Sequence, residues 1–382
     1  MNTSKFSYEL IIVIIATSLI TSMFISTLGG TSLVYATTSL GQSIQQNQQD
    51  LQSTINKEVQ QTITDTISNI NNNSNLDSNR ISSNNSQTQD TSASLSAFQQ
   101  KASVIDNLPS QKVRVGDIDI AYKILGDGKR TMVLITGLGA TMDMWSPYLL
   151  NNLTTAPNDY RVIIFDNRGA GESTIGTKEF TINQFVNDTV GLLDALSIEK
   201  TDILGWSMGS FIAQELAAMN PDRVDDLILY ASSCGGPDAV PPTPEVIQTF
   251  SNTSLSPEQL AQESIPLMFP TQWFEANPNY LNYFPIPTES VSPEVMGMQT
   301  EALENWSGNC QILGDITSPT LAIVGTDDFF TPAENSVTIV EKIPGAWLVQ
   351  IRDAGHGLMY QYPETFTTIV ETFLNGSDKN MR

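Results

Sequence analysis

A serine, an aspartate and a histidine, each in or beside a glycine-bearing turn, are the residues of this sequence that could together move an acyl group. The serine is Ser207, in Gly205-Trp206-Ser207-Met208-Gly209. The run Thr201–Gly205 before it reads as a strand, and Phe211, Ile212, Leu216 and Ala217 after it mark a helix that Pro221 stops. Glycine at both ends permits a strand-to-helix bend too tight for side chains, which lifts the hydroxyl clear of the sheet. Behind it, the free N–H groups and dipole of the helix N-terminus favour a developing negative charge. G-x-S-x-G alone is a weak motif, and its strand-to-helix setting is what gives it weight.

His356, in Asp353-Ala354-Gly355-His356-Gly357, is the only histidine of the 382 residues. Imidazole takes and returns a proton near neutral pH, so in serine activation His356 has no competitor. A single histidine could equally be a chance occupant of a loop. After another apolar run comes Val324-Gly325-Thr326-Asp327-Asp328-Phe329-Phe330-Thr331-Pro332, where a carboxylate could orient His356 and stabilise its cation. After a third comes Leu134-Ile135-Thr136-Gly137-Leu138-Gly139. That loop could turn a backbone amide toward Ser207, completing an oxyanion hole with the amide of Met208.

The elements that must position these groups follow one rhythm. Val113–Val115 and Ile118–Tyr122 suggest a hairpin around Gly116-Asp117. Apolar strands are expected at Thr131–Thr136, Arg161–Phe165, Thr201–Gly205, Val224–Ala231, Thr320–Val324 and Trp347–Ile351. Helices separate them, notably Thr181–Leu196. Short apolar strands alternating with amphipathic helices predict an α/β fold, a mostly parallel sheet of about eight strands covered on both faces.

Composition narrows the partners. Forty-one Asp and Glu against 18 Lys and Arg leave a net charge of -23, which argues against nucleic acid and anionic lipid head groups. Two cysteines, Cys234 and Cys310, are too few for a disulfide framework but could form one bridge outside the cytosol. No Cys/His spacing suggests a metal site, and no cofactor is expected.

The N-terminal part differs. Residues 1–36 hold Lys5, an apolar stretch from Leu10 to Leu28 and Val34-Tyr35-Ala36, the layout of a secretory signal or an uncleaved membrane anchor. Either reading places the rest of the chain outside the cytoplasm, secreted or tethered. Residues 37–105 are rich in Gln, Asn, Ser and Thr, too polar to form a globule. Within them Leu40, Ile44, Leu51, Ile55, Val59, Ile63, Ile67 and Ile70 recur at helical steps. This predicts a stalk over 39–71 through which copies could associate, and then a flexible tether.

These motifs resemble the α/β-hydrolase superfamily over nearly all of residues 110–375. The matching segments are Thr136-Gly-Leu-Gly139, Asp166-Asn-Arg-Gly-Ala-Gly-Glu-Ser173, the Ser207 turn, Gly325-Thr-Asp-Asp328 with Pro332, and Gly355-His-Gly357. The resemblance implies Ser207 as nucleophile, Asp328 as acid, His356 as base, and the amides of Leu138 and Met208 as the oxyanion hole. Thr136 stands where the family often has histidine. Asp327 adjoins Asp328, but the spacing to Gly325 and Pro332 favours Asp328. Asp238 is an outside candidate for the acid, Asp353 reads as a loop residue, and Asp166 and Arg168 as loop-fixing charges. Serine as nucleophile points away from the haloalkane dehalogenase and epoxide hydrolase branches.

The resemblance also divides the chain into a core, 106–234 and 311–378, and a small helical lid, 235–310. Between the cysteines the strand–helix rhythm breaks into prolines and apolar bulk, including Pro237, Pro241, Pro266, Trp273, Phe274, Tyr280 and Phe284. A disulfide would staple the two ends of this segment. Such a roof would select small to medium apolar acyl groups, with Gly137, Trp206 and Trp145 as substrate-contacting candidates, although Trp145 could equally be ordinary core. The expected activity is hydrolysis of an ester, lactone or thioester through an acyl-enzyme. The alternatives are a ligand-binding or sensory protein with slow turnover, or an acyltransferase or perhydrolase.

Overall fold

The computed structural model describes residues 108–380, apart from 253, 256, 279–282 and 286. The leader, the stalk and Tyr280 lie outside the described residues. Strands β1 (Gln111–Val115) and β2 (Ile118–Leu125) pair antiparallel, with Val115 opposite Ile118 and Gly116-Asp117 as the turn. Six further strands follow: β3 (Arg130–Ile135), β4 (Tyr160–Phe165), β5 (Thr201–Trp206), β6 (Val224–Tyr230), β7 (Thr320–Gly325) and β8 (Trp347–Ile351). Each overlaps an expected strand, because a continuous apolar run between polar breaks is a strong local signal.

The sheet order is β1-β2-β4-β3-β5-β6-β7-β8, and only β2 runs against the others. Central strands β5 and β7 are buried at every position, as a parallel sheet covered on both faces requires. Successive residues feed opposite faces, so Ile203 joins one apolar cluster and its neighbour Leu204 the other.

Helices α1 (Pro147–Leu153), α2 (Ile182–Ala195) and α3 (Met208–Met219) lie in the first part of the chain. The Thr181 hydroxyl caps α2 by accepting the Gln184 amide at 3.0 Å. Phe185 and Leu192 of α2 and Ile212 and Leu216 of α3 fill one cluster, while Leu149 and Leu150 of α1 fill the other.

Between β6 and β7 the sheet is interrupted by an insertion whose described residues form helices α4 (Pro244–Ser251), α5 (Pro257–Leu267), α6 (Thr271–Ala276) and α7 (Pro293–Glu304). Pro244, Pro257 and Pro293 open three of these helices, at the first turn, where a missing N–H costs nothing, whereas Pro266, expected as a break, lies inside α5. Cys234 and Cys310 do form a disulfide, with Cα atoms 5.0 Å apart, and it closes the two ends of the insertion. The second half of the insertion is bonded to the core. Asp143 accepts the amide and hydroxyl of Thr288 at 2.6 and 2.9 Å, and the Gly171 amide donates to Ser290 at 3.2 Å.

The last helices are α8 (Ala333–Lys342), α9 (Leu358–Gln361) and α10 (Pro363–Asn380). Phe366, Val370 and Phe373 of α10 complete the second cluster. No helix among the described residues is long and apolar enough to cross a membrane.

Candidate active site

Ser207 joins β5 to α3 with φ 54° and ψ -122°, a conformation that strains any residue with a side chain. Its surroundings impose that geometry. A Cβ on Gly205 would sit 2.3 Å from the Gly209 carbonyl oxygen, and one on Gly209 would sit 2.0 Å from that of Ile135. Only glycine fits at either place. The Ser207 amide donates to the Tyr230 carbonyl at 3.0 Å, and its carbonyl accepts from the Ser210 amide and hydroxyl at 2.8 and 2.6 Å. Its own hydroxyl enters no hydrogen bond among the described residues.

His356 follows β8 in a buried loop, and its Nδ1 lies 2.9 and 3.0 Å from Oδ2 and Oδ1 of Asp328. The carboxylate is fixed in turn. Oδ1 accepts the amides of Phe330 and Thr331 at 2.9 and 2.8 Å, and Oδ2 accepts the Thr331 hydroxyl at 3.0 Å. Phe330 stacks on the imidazole at 4.6 Å between centroids, which excludes water from that face. With Nδ1 bound to the carboxylate, Nε2 is the nitrogen left for a proton donor or acceptor. Asp238 instead pairs with Lys342 at 3.7 Å, and Asp353 is exposed.

The loop after β3 passes directly over the serine. A Cβ on Gly137 would be 3.1 Å from Ser207 Cβ and 3.7 Å from its Oγ. Thr136 is buried and shapes this loop: its carbonyl accepts Asn167 Nδ2 at 3.2 Å, and its hydroxyl donates to the Ala140 carbonyl at 3.4 Å. The Gly139 amide is engaged by Gln299 Oε1 at 2.9 Å. The amides of Leu138 and Met208 make no hydrogen bond among the described residues.

Trp206 is buried beside this constellation. It stacks on Tyr230 at 6.1 Å, meets Trp145 and Tyr360 edge-on at 6.2 Å each, and lies 6.1 Å from the His356 ring. Trp145 sits in the core behind it, 1% exposed. Asp166 and Arg168 fix loops. Asp166 accepts the Met142 amide at 2.8 Å, and Arg168 forks onto Asp188 and Asp117 at 2.8–3.2 Å.

Three residues with supporting roles were not among the expected site residues. The Tyr230 hydroxyl donates to the His356 carbonyl at 2.5 Å and accepts the Met359 amide at 3.2 Å, which anchors the histidine loop. Thr331 braces Asp328. Gln299 reaches the Gly139 loop from the insertion. Only Thr331 had a local hint, as a hydroxyl three residues beyond an aspartate.

A family profile described as the alpha/beta hydrolase fold matches residues 130–363. A hydrolase of Cupriavidus pinatubonensis for 2-hydroxy-6-oxononadienedioate and 2-hydroxy-6-oxononatrienedioate is 28% identical, over 69% of this chain and 95% of its own. Among solved structures, an enol-lactonase from Burkholderia xenovorans LB400 superposes with a TM-score of 0.60 at 26% identity, covering 69% of this chain and 100% of that one. A thermophilic esterase from Thermogutta terrifontis gives 0.59 at 25% identity, over 70% and 99% of the two chains.

Proposed function

Since this chain belongs to the α/β-hydrolase fold family and the relatives it matches are hydrolases, we propose that it is a serine hydrolase of uncharged, carboxylic ester-like substrates. The observation that carries this reading is the sole imidazole held through Nδ1 by Asp328, which presents Nε2 as the base. Ser207 Oγ attacks the substrate carbonyl as its proton passes to His356 Nε2, and Asp328 stabilises the imidazolium. The oxyanion is received by the unengaged amides of Leu138 and Met208. The same proton then goes to the leaving alcohol. Water, deprotonated by His356, finally releases the acid and restores the serine.

The insertion acts as the lid. Its residues 235–310 include Asp238, Glu245, Glu258, Glu263, Glu275, Glu289, Glu294, Glu301 and Glu304, with no lysine, arginine or histidine. A roof of one sign repels anionic acyl groups and favours neutral ones of small to medium size. Gly137 and Trp206 are the candidates for touching the acyl chain, with Trp145 supporting the indole from behind. The protein acts outside the cytoplasm, secreted or tethered through its N-terminal segment, and self-associates through residues 39–71. The Cys234–Cys310 disulfide supports the compartment, because such bridges persist in oxidising surroundings.

A fluorophosphonate probe tests the reading. It should label the wild type and not Ser207→Ala, and a folded wild type that stays unlabelled would overturn it. A panel of p-nitrophenyl esters of rising chain length, run beside lactones and thioesters, then defines the acyl group.

A further inference from the structure

Helix α7 buries Val295, Gln299 and Ala302 on one face. A glutamine in the middle of such a stripe is out of place. Gln299 is fully buried, and its Nε2 has no hydrogen-bond partner, a situation that an apolar residue of similar size would avoid. Its other end is engaged: Oε1 accepts the Gly139 amide at 2.9 Å, across 160 residues of sequence. One turn earlier, Met296 packs on the same glycine, where a Cβ would meet its methyl at 2.2 Å. Gly139 has φ +68°, so the loop bends sharply where α7 grips it. Two residues before it, Gly137 lies against Ser207, and Leu138 between them carries one of the unengaged amides.

We propose that Gln299 is a positioning residue for acyl transfer, a side chain of the insertion that holds the oxyanion loop through the Gly139 amide and so aims the Leu138 N–H. This rests on the serine hydrolase reading above. It makes the insertion part of the catalytic geometry as well as a roof. The Gly139 amide, satisfied by Gln299, is not available to the oxyanion, and this leaves Leu138 and Met208 as the donors. Loss of the Gln299 acceptor frees the Gly139 N–H to seek another partner and lets the loop rotate. The substrate carbonyl still binds, but the transition-state charge is less well met.

Gln299→Met tests this, because it keeps the length and removes both the acceptor and the unpartnered donor. With p-nitrophenyl butyrate, kcat should fall about 10- to 100-fold and KM change less than about 3-fold, a share of the effect of losing an oxyanion donor. Amide hydrogen exchange over residues 136–141 should quicken while protection of the strands is unchanged. Gln299→Glu, which retains an acceptor oxygen at the same reach, should restore slow exchange in that loop. A kcat for Gln299→Met within twofold of wild type, or unaltered loop exchange, would overturn the proposal. Ser207→Ala separates the two ideas. If the wild type is no more active than that variant, the hydrolase reading fails, and the exchange measurement alone still decides whether Gln299 holds the loop.

Discussion

The Nδ1 of His356 sits almost equidistant from the two oxygens of Asp328, at 2.9 and 3.0 Å, and that carboxylate also takes two backbone amides and a threonine hydroxyl. The imidazole therefore has a fixed orientation and tautomer, and the carboxylate cannot swing away from it. Asp328→Asn should lower kcat by about 10³- to 10⁴-fold, since an amide presents the wrong hydrogen-bonding group to Nδ1. Asp327→Asn and Asp353→Asn should stay within about twofold of wild type, as neither touches the imidazole. Ester hydrolysis rates of the three variants decide the assignment, and equal losses in all would refute it.

The backbone of Ser207 implies an opposition between stability and activity. With φ 54° it carries strain of about 1–3 kcal/mol, which glycine would relieve at a small entropic cost. Ser207→Gly should be inert yet more stable by about 1 kcal/mol. Gly209→Ala should do the reverse, losing about 3 kcal/mol or more as its methyl meets the Ile135 carbonyl. Urea titration measures both, and a stabilised Gly209→Ala would contradict the packing at this turn.

The Cys234–Cys310 disulfide spans 76 residues of sequence. Cross-linking a loop of that length stabilises a fold by about 2–4 kcal/mol. The double variant Cys234→Ala/Cys310→Ala should shift the urea midpoint by the corresponding amount. An unchanged midpoint would show that hydrogen bonds and packing alone close the insertion.

Stability should peak in mild acid. Burial, reinforced by the neighbouring carboxyl of Glu289, pushes Asp166 from its ordinary 3.8 up to about 8, with only the Met142 and Glu172 amides opposing. Burial, with Asp226 and Asp225 nearby, pushes Asp202 up to about 7 against the pull of Arg130. Both acids keep in the fold a proton that the unfolded chain releases near pH 4, so their stability is full below that value and lost as pH rises through 7 to 8. Asp117 works in the opposite sense. Its hydrogen bonds from Arg168 hold it well below the usual carboxylate range, so its contribution is present above about pH 4 and lost in stronger acid. The melting temperature should therefore decline from about pH 5 to pH 8, and Glu289→Gln should flatten that decline. A melting temperature that rises over this range would rule out the raised carboxyls of Asp166 and Asp202 as the groups that set it.

The strands and the Ser207 turn were legible in the sequence because they are local. Runs such as Thr201–Trp206 carry their burial in consecutive residues, and the need for glycine at 205 and 209 comes from contacts within one strand-to-helix bend and its neighbouring strand. Asp328 and His356 were singled out through the resemblance of their motifs to the family, helped by the scarcity of histidine, and the fold brings the two side chains together. The disulfide was only a candidate, because two cysteines 76 residues apart say nothing of their separation in space. The prolines of the insertion read as breaks, although Pro266 lies inside α5 and Pro244 starts α4 at its first turn.

By itself the sequence determined an alternation of strands and helices, a strained serine turn and one available imidazole. The tertiary structure decided which groups hold these in place. Tyr230 braces the His356 loop from 126 residues away, and Gln299 reaches Gly139 from 160. A tyrosine at a strand end and a glutamine on a helix have no local pattern that separates them from ordinary core or surface. Their roles arise only where distant segments meet and a buried amide or carbonyl must find a partner.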